Sequence, residues 1–354
     1  MSSCRTARAA TRLASTALRP RPALLATRTS RLATPSSTRR HSTQQQTTLN
    51  TINQDEIDHF SRLSQHWWDE TGEFALLHRM NPERVEYLRQ KVAMDPHAEP
   101  EWTFADRSND KRRDEARGSG RWLEGKRCLD VGCGGGLLAE TLARLGGDVV
   151  AIDASAHNIA IARTHASCDP LLPFVDEHGA GPSTPASIPG RLEYRHTSAE
   201  ALHAAGEKFD VVCSMEVLEH VDQPGEFLKC LGDMVKPGGH LAMSTISRTP
   251  LAQLLTITMA EDILRFVTPG THHYHKYVRP EELRRFVAKE MGGHAVWEAN
   301  EDASDIRVGE VGETRGIIYD PLGGRWRLWP GVEGTWAKGM GELCNYMYHA
   351  KKRA

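Results

Sequence analysis

Residues 128–136, CLDVGCGGG, decide the fold of this chain of 354 residues. The apolar segment Arg127–Val131 predicts a short buried strand, and residues 137–145 predict a helix. Glycines between the two let the backbone turn sharply and approach a ligand without interference from a Cβ atom. Residues 149–152 predict the next strand, and Asp153 follows it, where a carboxylate can accept hydrogen bonds from both ribose hydroxyls. The sequence therefore predicts a nucleoside pocket at the switch point of a doubly wound α/β sheet.

The third position of the glycine pattern indicates which nucleoside is bound. A dinucleotide-binding fold uses Gly-x-Gly-x-x-Gly, and Gly132 and Gly134 fit it, but Leu137 replaces the last glycine, which disfavours an NAD oxidoreductase. No Gly-Lys-Ser/Thr follows, which excludes a phosphate-binding P-loop. The remaining pattern, Asp-x-Gly-x-Gly with a ribose-binding acid, is typical of Rossmann-like class I enzymes that use S-adenosylmethionine (SAM). A glycine-rich turn without a ligand is the alternative.

Composition divides the chain into two parts. Residues 1–54 contain nine arginines, no lysine and no acidic residue, which predicts a mitochondrial transit peptide over 1–45, with an ordinary disordered tail as the alternative. Without those arginines the chain carries 35 basic residues, from a total of 44, against 46 acidic ones, which argues against a nucleic-acid substrate.

Seven scattered cysteines indicate reduced thiols in a matrix-type compartment. No apolar run reaches the roughly 20 residues that span a bilayer.

Domain organisation follows from the spacing of apolar segments. We expect an N-terminal helical extension over 46–120, with a helix that starts near Pro82, and a single SAM-dependent methyltransferase domain over 121–349. Within that domain, further strands are predicted at 192–196, 209–214 and 240–245, a helix at 223–234, and an inserted surface loop at 169–190. Residues 251–267 form an apolar helical pattern inside a segment, 248–285, that is either a core-facing helix or a lid that lies against a membrane and admits a lipophilic substrate.

Candidate chemistry follows the strand at 209–214. Met215 is expected to pack against the adenine ring. If a helical turn begins here, Glu216, Glu219 and His220 share one face, and two carboxylates with an imidazole can hold Mg²⁺ or Mn²⁺. Such an ion would bind the adjacent oxygens of a catechol and lower the phenol pKa. The alternative is that Glu219 and His220 orient the substrate and accept its proton without a metal, and the residues alone leave both possibilities open.

Several motifs together resemble the ubiquinone biosynthesis O-methyltransferase family, in its mitochondrial form. They are WWD at 67–69, LHRMNP at 77–82 with Arg84, the glycine stretch, MEVLEHV at 215–221, VKPGG at 235–239, PGTH at 269–272 and NYM at 345–347. The glycine stretch is generic to SAM enzymes, whereas the WWD and HRMNP segments are far more specific. The resemblance covers most of residues 55–349, and residues 295–332 match least.

What the resemblance implies is a specific reaction and place of action. It implies SAM-binding residues Arg84, Gly132, Asp153 and Met215, and a magnesium-type site at Glu216, Glu219 and His220. The implied activity is methylation of phenolic hydroxyls of 3,4-dihydroxy-5-polyprenylbenzoate and of demethylubiquinol. The implied setting is the matrix side of the mitochondrial inner membrane, peripheral to it, in a complex with other ubiquinone enzymes. The alternatives are a SAM methyltransferase for another small lipophilic acceptor, and a non-catalytic SAM-binding assembly subunit.

Overall fold

The structure is a computed structural model that describes residues 51–93, 120–175, 190–298, 311–329 and 336–354. The predicted transit peptide, 1–45, lies outside the described residues. So do residues 94–119 of the helical extension and residues 176–189 of the predicted inserted loop. The predictions for these segments stay predictions.

A single eight-stranded sheet forms the centre of the fold, in the order β3-β2-β1-β4-β5-β8-β6-β7. Strands β1 to β5 are mutually parallel, as predicted for a doubly wound α/β fold. The strands are β1 Arg127–Val131, β2 Asp148–Asp153, β3 Arg191–His196, β4 Phe209–Met215, β5 Val235–Ile246, β6 Glu313–Asp320, β7 Arg325–Leu328 and β8 Asn345–Lys351. The chain reverses its direction of winding between β1 and β4, and this switch point is where open α/β sheets bind ligands.

Helices cover both faces of the parallel strands. They are α1 Gln54–Leu63, α2 Ala75–Val92, α3 Leu137–Arg144, α4 Ala156–Ser167, α5 Ala199–Ala204, α6 Pro224–Met234 and α7 Pro280–Glu290. Neighbouring residues of one strand enter different cores: Cys128 packs in a cluster with Leu142, and Leu129 packs in a second cluster with Phe227. A strand buried on both faces needs a continuous apolar run, which explains why the strand positions were readable from the sequence.

Helix α2 begins earlier than the sequence predicts. The expected start near Pro82 is wrong, because the helix starts at Ala75 and Pro82 lies inside it. Backbone bonds from Leu77 N and His78 N to Phe74 O, at 2.9 and 3.1 Å, nucleate the first turn. Tyr87, fully buried in the core, anchors the other end of the helix. Tertiary packing thus overrides the local preference of proline for a first turn.

The lid segment departs from an ordinary core helix. A single α-turn at Pro250–Ala252 continues into a π-helix at Gln253–Ile263. The core-facing interpretation is wrong for its larger side chains, because Leu254, Ile263 and Phe266 are 49, 61 and 51% exposed. Among the helices of the described residues, none is both long and apolar enough to span a bilayer.

The carboxyl-terminal half of the sheet was not predicted. Strand β8 lies antiparallel between β5 and β6, and β6 and β7 form an antiparallel hairpin. Strands β6 (ETRGIIYD) and β8 (NYMYHAK) have neither a continuous apolar run nor a regular alternation, and β8 pairs with β5 across a long stretch of chain, so no local pattern predicts the pairing.

Candidate active site

The glycine loop is tied to the neighbouring strand by backbone bonds. Gly132 N and Cys133 N donate to Ile152 O at 2.8 and 3.0 Å. Gly134 N donates to Oδ2 of Asp153 at 2.9 Å. Gly134 has a φ of +54°, and a Cβ there would lie 2.3 Å from Cζ2 of Trp67, so only glycine fits. The loop therefore presents its backbone directly to the cavity beside it.

Asp153 lies at the carboxyl end of β2 and lines that cavity, where the ribose-binding acid was predicted. Its Oδ1 accepts from Ser155 N at 2.7 Å and from Asn158 Nδ2 at 3.3 Å. Burial raises the pKa of Asp153, while the bonds from Ser155 and Gly134 act in the opposite direction. The carboxylate is thus held in place by protein donors, and each oxygen keeps acceptor capacity for a ligand hydroxyl.

A pair of tryptophans from the N-terminal segment covers the glycine loop. Trp67 Nε1 donates to Oδ1 of Asn158 at 3.0 Å, and Trp68 Nε1 donates to Gly135 O at 3.0 Å. The Trp67 ring stacks on Phe74 with ring centroids 3.9 Å apart. The sequence singled out Trp67 and Trp68 as family-specific residues but gave them no role. Both tryptophans contact residues of the core that are distant in the chain, and the sequence pattern does not predict such long-range contacts.

Met215 and Glu216 stand where β4 ends. Met215 is buried and lines the cavity, as expected of a residue beside the adenine. Glu216 has a φ of +55°, a strained conformation for a residue with a Cβ. Its Oε1 accepts from Ser244 Oγ at 2.6 Å and its Oε2 from Asn345 Nδ2 at 3.3 Å. The predicted helical face is therefore wrong: Glu216 precedes the turn Leu218–His220 and is not in register with it.

Glu219 is buried beneath the cavity. Its Oε2 accepts from Thr245 Oγ1 at 2.8 Å, and its Oε1 has no hydrogen-bond partner among the described residues. Burial raises the pKa of Glu219, and the charge of Glu216 raises it further. Glu219 does not line the cavity, so any contact with a substrate requires a rearrangement.

His220 lines the cavity and is held by a carboxylate from the N-terminal extension. Its Nδ1 lies 3.0 Å from Oε2 of Glu56, whose Oε1 lies 3.1 Å from Nζ of Lys276. Burial lowers the pKa of His220, and Glu56 opposes that effect. Burial would raise the pKa of Glu56, but His220 and Lys276 together lower it to about 2. Sequence analysis missed Glu56, because it lies on α1, 164 residues from His220.

The residues predicted to hold magnesium are close in the fold but do not form a ligand set. Within the described ranges, no group of three His, Cys, Asp or Glu side chains is placed to hold a metal ion. Glu216 turns toward Ser244 and Asn345, and His220 turns toward Glu56. Glu219 Oε1 is buried without a partner, and carboxylate oxygens are ligands that Mg²⁺ prefers, so a magnesium site at these residues stays a prediction.

Arg84 comes from α2 and lies behind Glu216. Its guanidinium is 4% exposed, and Nη2 lies 3.5 Å from Oε1 of Glu216. Burial lowers the pKa of Arg84, and the charges of Glu216 and Asp130 raise it. Arg84 does not line the cavity, whereas Glu216 does. The carboxylate of SAM would have to compete with Glu216 for this guanidinium, and the role of Arg84 in SAM binding stays a prediction.

The cavity has a volume of about 640 Å³, within the range of small-molecule sites. One end is polar and is formed by the glycine loop, Asp153 and Asn158. The other end is apolar. Its walls come from the lid segment and the β6–β7 hairpin: Leu255, Met259, Phe266, Ile317, Tyr319 and Trp326. Ser198 lines the cavity and also caps α5, because its Oγ accepts from Ala201 N at 3.2 Å.

Comparison with known proteins gives the class of this site. Residues 102–292 match a family described as a methyltransferase domain, so the glycine loop, β2 and β4 belong to a SAM-dependent methyltransferase. The mitochondrial ubiquinone biosynthesis O-methyltransferase of Schizosaccharomyces pombe is 38% identical over 301 residues, which are 85% of this chain and 87% of the relative. The ubiquinone biosynthesis O-methyltransferase of Sinorhizobium medicae is 39% identical over 307 residues, 87% of this chain and 98% of the relative.

This degree of identity over nearly the whole length shows the family. The chain belongs to the ubiquinone biosynthesis O-methyltransferases. The resemblance found in the sequence motifs is confirmed, and the NAD-dependent alternative is excluded by the methyltransferase domain.

Proposed function

We propose that the protein transfers the methyl group of SAM to phenolic hydroxyls of polyprenylated catechol and quinol acceptors. The two acceptors are 3,4-dihydroxy-5-polyprenylbenzoate and demethylubiquinol. The observation that carries the proposal is the form of the cavity: a polar nucleoside end at Gly134 and Asp153 is continuous with an apolar end that suits a prenyl chain. Membership of the ubiquinone biosynthesis O-methyltransferases supports the same acceptors.

The reaction is an in-line displacement. The phenolate oxygen attacks the methyl carbon of the sulfonium, the carbon–sulfur bond breaks, and its electron pair stays on sulfur as a neutral thioether. The protein forms no bond itself, so the rate depends on holding oxygen, methyl and sulfur in line. The end of β4 does this positioning, because Met215 and His220 both line the cavity beside the nucleoside end.

Proton removal from the phenol is the remaining chemical task. His220 is a candidate for this task, because Glu56 contacts its Nδ1 and the other ring nitrogen, Nε2, is left to accept the proton. Glu219 contributes from below the cavity, because its raised pKa makes it a hydrogen-bond donor near neutral pH and a weak source of negative charge. Substitution of either residue by alanine is expected to lower turnover strongly and to leave SAM binding nearly intact.

Magnesium is the proposed metal. Glu216, Glu219 and His220 would hold it, and the ion would supply charge that lowers the phenol pKa when bound. The unpartnered Oε1 of Glu219 supports this proposal, and the absence of a grouped ligand set among the described residues means that binding requires the side chains to turn. Calorimetric titration of Mg²⁺ into the chelated protein, compared with Glu219→Gln, tests the site without reference to activity.

The setting is proposed from composition and from the lid. The arginine-rich segment 1–45 and a mitochondrial relative support import into mitochondria. The exposed apolar residues of the lid support peripheral contact with the matrix face of the inner membrane, where a polyprenylated acceptor resides. Other ubiquinone enzymes are the proposed partners, supported by family membership alone. Fusion of residues 1–45 to a reporter tests import, and a cytosolic reporter would contradict it.

The decisive experiment for the activity uses chelated protein, SAM and a prenylated catechol, with and without Mg²⁺. A methylated product only with the ion supports both the reaction and the metal. A product in both conditions supports the reaction and assigns Glu216, Glu219 and His220 to positioning and proton transfer. No product from protein that binds SAM would contradict the proposed acceptor and favour another lipophilic one or a non-catalytic subunit.

A further inference from the structure

A second carboxylate–imidazole pair faces the cavity from the lid side. Nδ1 of His272 lies 2.5 Å from Oε1 of Glu261 in the π-helix. Glu261 is 1% exposed and is the one fully buried residue of the described π-helix Gln253–Ile263, whose last residue, Ile263, is 61% exposed. The His272 ring is 16% exposed and lines the cavity. His272 was named from the sequence only as the last residue of the PGTH motif.

The contacts of Glu261 fix the state of the ring. Its two oxygens accept from Gly270 N at 2.8 Å and from His272 N at 2.9 Å, which hold the loop against the π-helix. A carboxylate is an acceptor, so Nδ1 of His272 must be the protonated nitrogen of the neutral ring. Nε2 then carries the lone pair. Among the described residues, no group forms a hydrogen bond to this Nε2.

His220 and His272 each contact one carboxylate, and the two carboxylates differ in whether a second cation shares their charge. The His220 and His272 rings lie 6.1 Å apart between centroids. Glu56, behind His220, shares its charge with the ammonium of Lys276 at 3.1 Å. Glu261 has no lysine or arginine partner within the described part of the chain, and its other donors are neutral backbone amides. Its charge is therefore directed at His272 alone.

We propose that His272 is the general base of methyl transfer and that Glu261 is its positioning residue. This inference rests on the proposed phenolic acceptor. The phenol O–H bond breaks as its proton joins Nε2, the phenolate oxygen then forms the bond to the SAM methyl carbon, and the carbon–sulfur electron pair remains on sulfur. The products are the methyl ether, S-adenosylhomocysteine and an imidazolium that returns its proton to water. His272 thus replaces His220 as the residue that takes the phenol proton, and His220 is left to bind the acceptor or an ion.

The groups that face His272 come from four elements. Glu261 belongs to the π-helix, His220 to the turn after β4, and Tyr277, whose ring lies 6.3 Å away in an edge-on arrangement, follows the loop. His59 of α1 contacts the adjacent Thr271 at 3.1 Å. Among the described residues, no lysine or arginine side chain bonds directly to Glu261 or His272.

Acceptors of different acidity test the assignment. A prenylated catechol needs a base near neutral pH, whereas a nitrocatechol carries a hydroxyl that is already ionised. In full-length His272→Ala, kcat for the first acceptor should fall by about 10²- to 10⁴-fold and kcat for the second only a few-fold. Added imidazole should restore part of the loss, and the Kd for SAM should not change. His273→Ala is the matched control, because His273 does not line the cavity and its ring faces His275.

Each other outcome has a definite meaning. Equal losses with both acceptors would overturn the base assignment and make His272 structural, and no loss would overturn it outright. Glu261→Gln should repeat the acceptor-dependent loss in weaker form, and the melting temperature should fall because the new amide NH2 faces a backbone N–H of the loop. If the wild-type protein methylates neither acceptor, the proposed function fails and this inference fails with it. If the wild type methylates both and the variant shows no dependence on acidity, only the inference fails.

Discussion

The indole Nε1 of Trp67 donates a hydrogen bond of 3.0 Å to Oδ1 of Asn158, across the mouth of the glycine loop. Trp67 belongs to the segment between α1 and α2, and Asn158 to α4 of the core. The same Asn158 donates from Nδ2 to Asp153 at 3.3 Å. The N-terminal extension is therefore connected to Asp153 through one amide side chain, and Trp67, Asn158 and Asp153 line the same cavity.

Gly134→Ala should abolish SAM binding. The new Cβ would lie 2.3 Å from the Trp67 ring at a φ of +54°, so the ring must leave its place over the loop. Gly125→Ala is the matched control, since Gly125 has a φ of +78° with no atom within 4 Å of a Cβ, and it should cost only about 1 kcal/mol of strain. Calorimetric titration of SAM into both variants measures the difference. Similar affinities would show that the loop tolerates a side chain.

Asp153→Ala should weaken SAM binding before it affects the chemical step. The substitution removes the acceptor for the ribose and also the bonds from Gly134 N and Ser155 N that shape the loop. Asp153→Asn keeps one carbonyl acceptor and should have a smaller effect. We expect the KM for SAM to rise by at least tenfold in the alanine variant, with kcat at saturating SAM within a few-fold of wild type. A fall in kcat alone would contradict this role.

Removal of Arg84 should destabilise the protein more than removal of its partner. Arg84→Met leaves the charges of Glu216 and the buried Asp130 without a cation, at a cost of about 3–5 kcal/mol in the free energy of unfolding. Glu216→Gln leaves Asp130 as a counter-charge and should cost less. The double variant should recover part of the stability without recovering activity. Urea unfolding of the three variants measures these losses, and a double variant whose loss equals the sum of the two single losses would show that the pair is not coupled.

Acid should destabilise the fold through a buried histidine pair remote from the cavity. Nδ1 of His240 lies 3.0 Å from Nε2 of His349, and burial lowers the pKa of His240 to about 4 and that of His349 as well. The unfolded chain binds these protons near pH 6.5, so the stability is present above that pH and is lost as the pH falls toward 4. The loss for His240 is on the order of 3 kcal/mol. Replacement of both residues by leucine should flatten the melting temperature between pH 6.5 and 4.

The lid should bind lipid vesicles through its exposed side chains. Leu254→Ser with Leu255→Ser removes two apolar residues that are 49 and 43% exposed. We expect cosedimentation with phosphatidylcholine–cardiolipin vesicles to fall several-fold, because each buried leucine contributes about 1.5–3 kcal/mol. Leu171→Ser, at a residue 67% exposed on another surface, serves as control and should leave binding unchanged. Equal binding by all three proteins would contradict the proposed membrane contact.

The parallel half of the fold could be predicted because its signals are local. A strand buried on both faces must be apolar throughout, and the predicted strand Arg127–Val131 agrees with β1 at both ends. The start of α2 could not be predicted, because it is set by backbone bonds to Phe74 O, ahead of the proline that the sequence pattern pointed to. Strand β8 pairs with β5 across more than a hundred residues, and no segment of sequence records that pairing.

The residues of the candidate site also fall into two groups, those that local topology predicts and those that only tertiary contacts bring to the cavity. Asp153 and Gly134 follow strands directly, so their positions at one edge of the sheet follow from topology. The expected helical face of Glu216, Glu219 and His220 failed, because the left-handed backbone of Glu216 changes the direction of the chain before the turn begins. Glu56 and Glu261 could not be found from the sequence, since each reaches its histidine from a separate element.

The position of β8 between β5 and β6 gives the enzyme a modular construction. The donor side of the cavity comes from the parallel strands, while Tyr319 and Trp326 of the acceptor side come from a hairpin that joins the sheet through β8. The hairpin shares no strand with Asp153 or the glycine loop, and its other anchor is the bond of 2.9 Å from Trp326 Nε1 to Leu76 O in α2. Substitutions at the exposed end of the hairpin are therefore expected to alter the choice of acceptor more than the affinity for SAM.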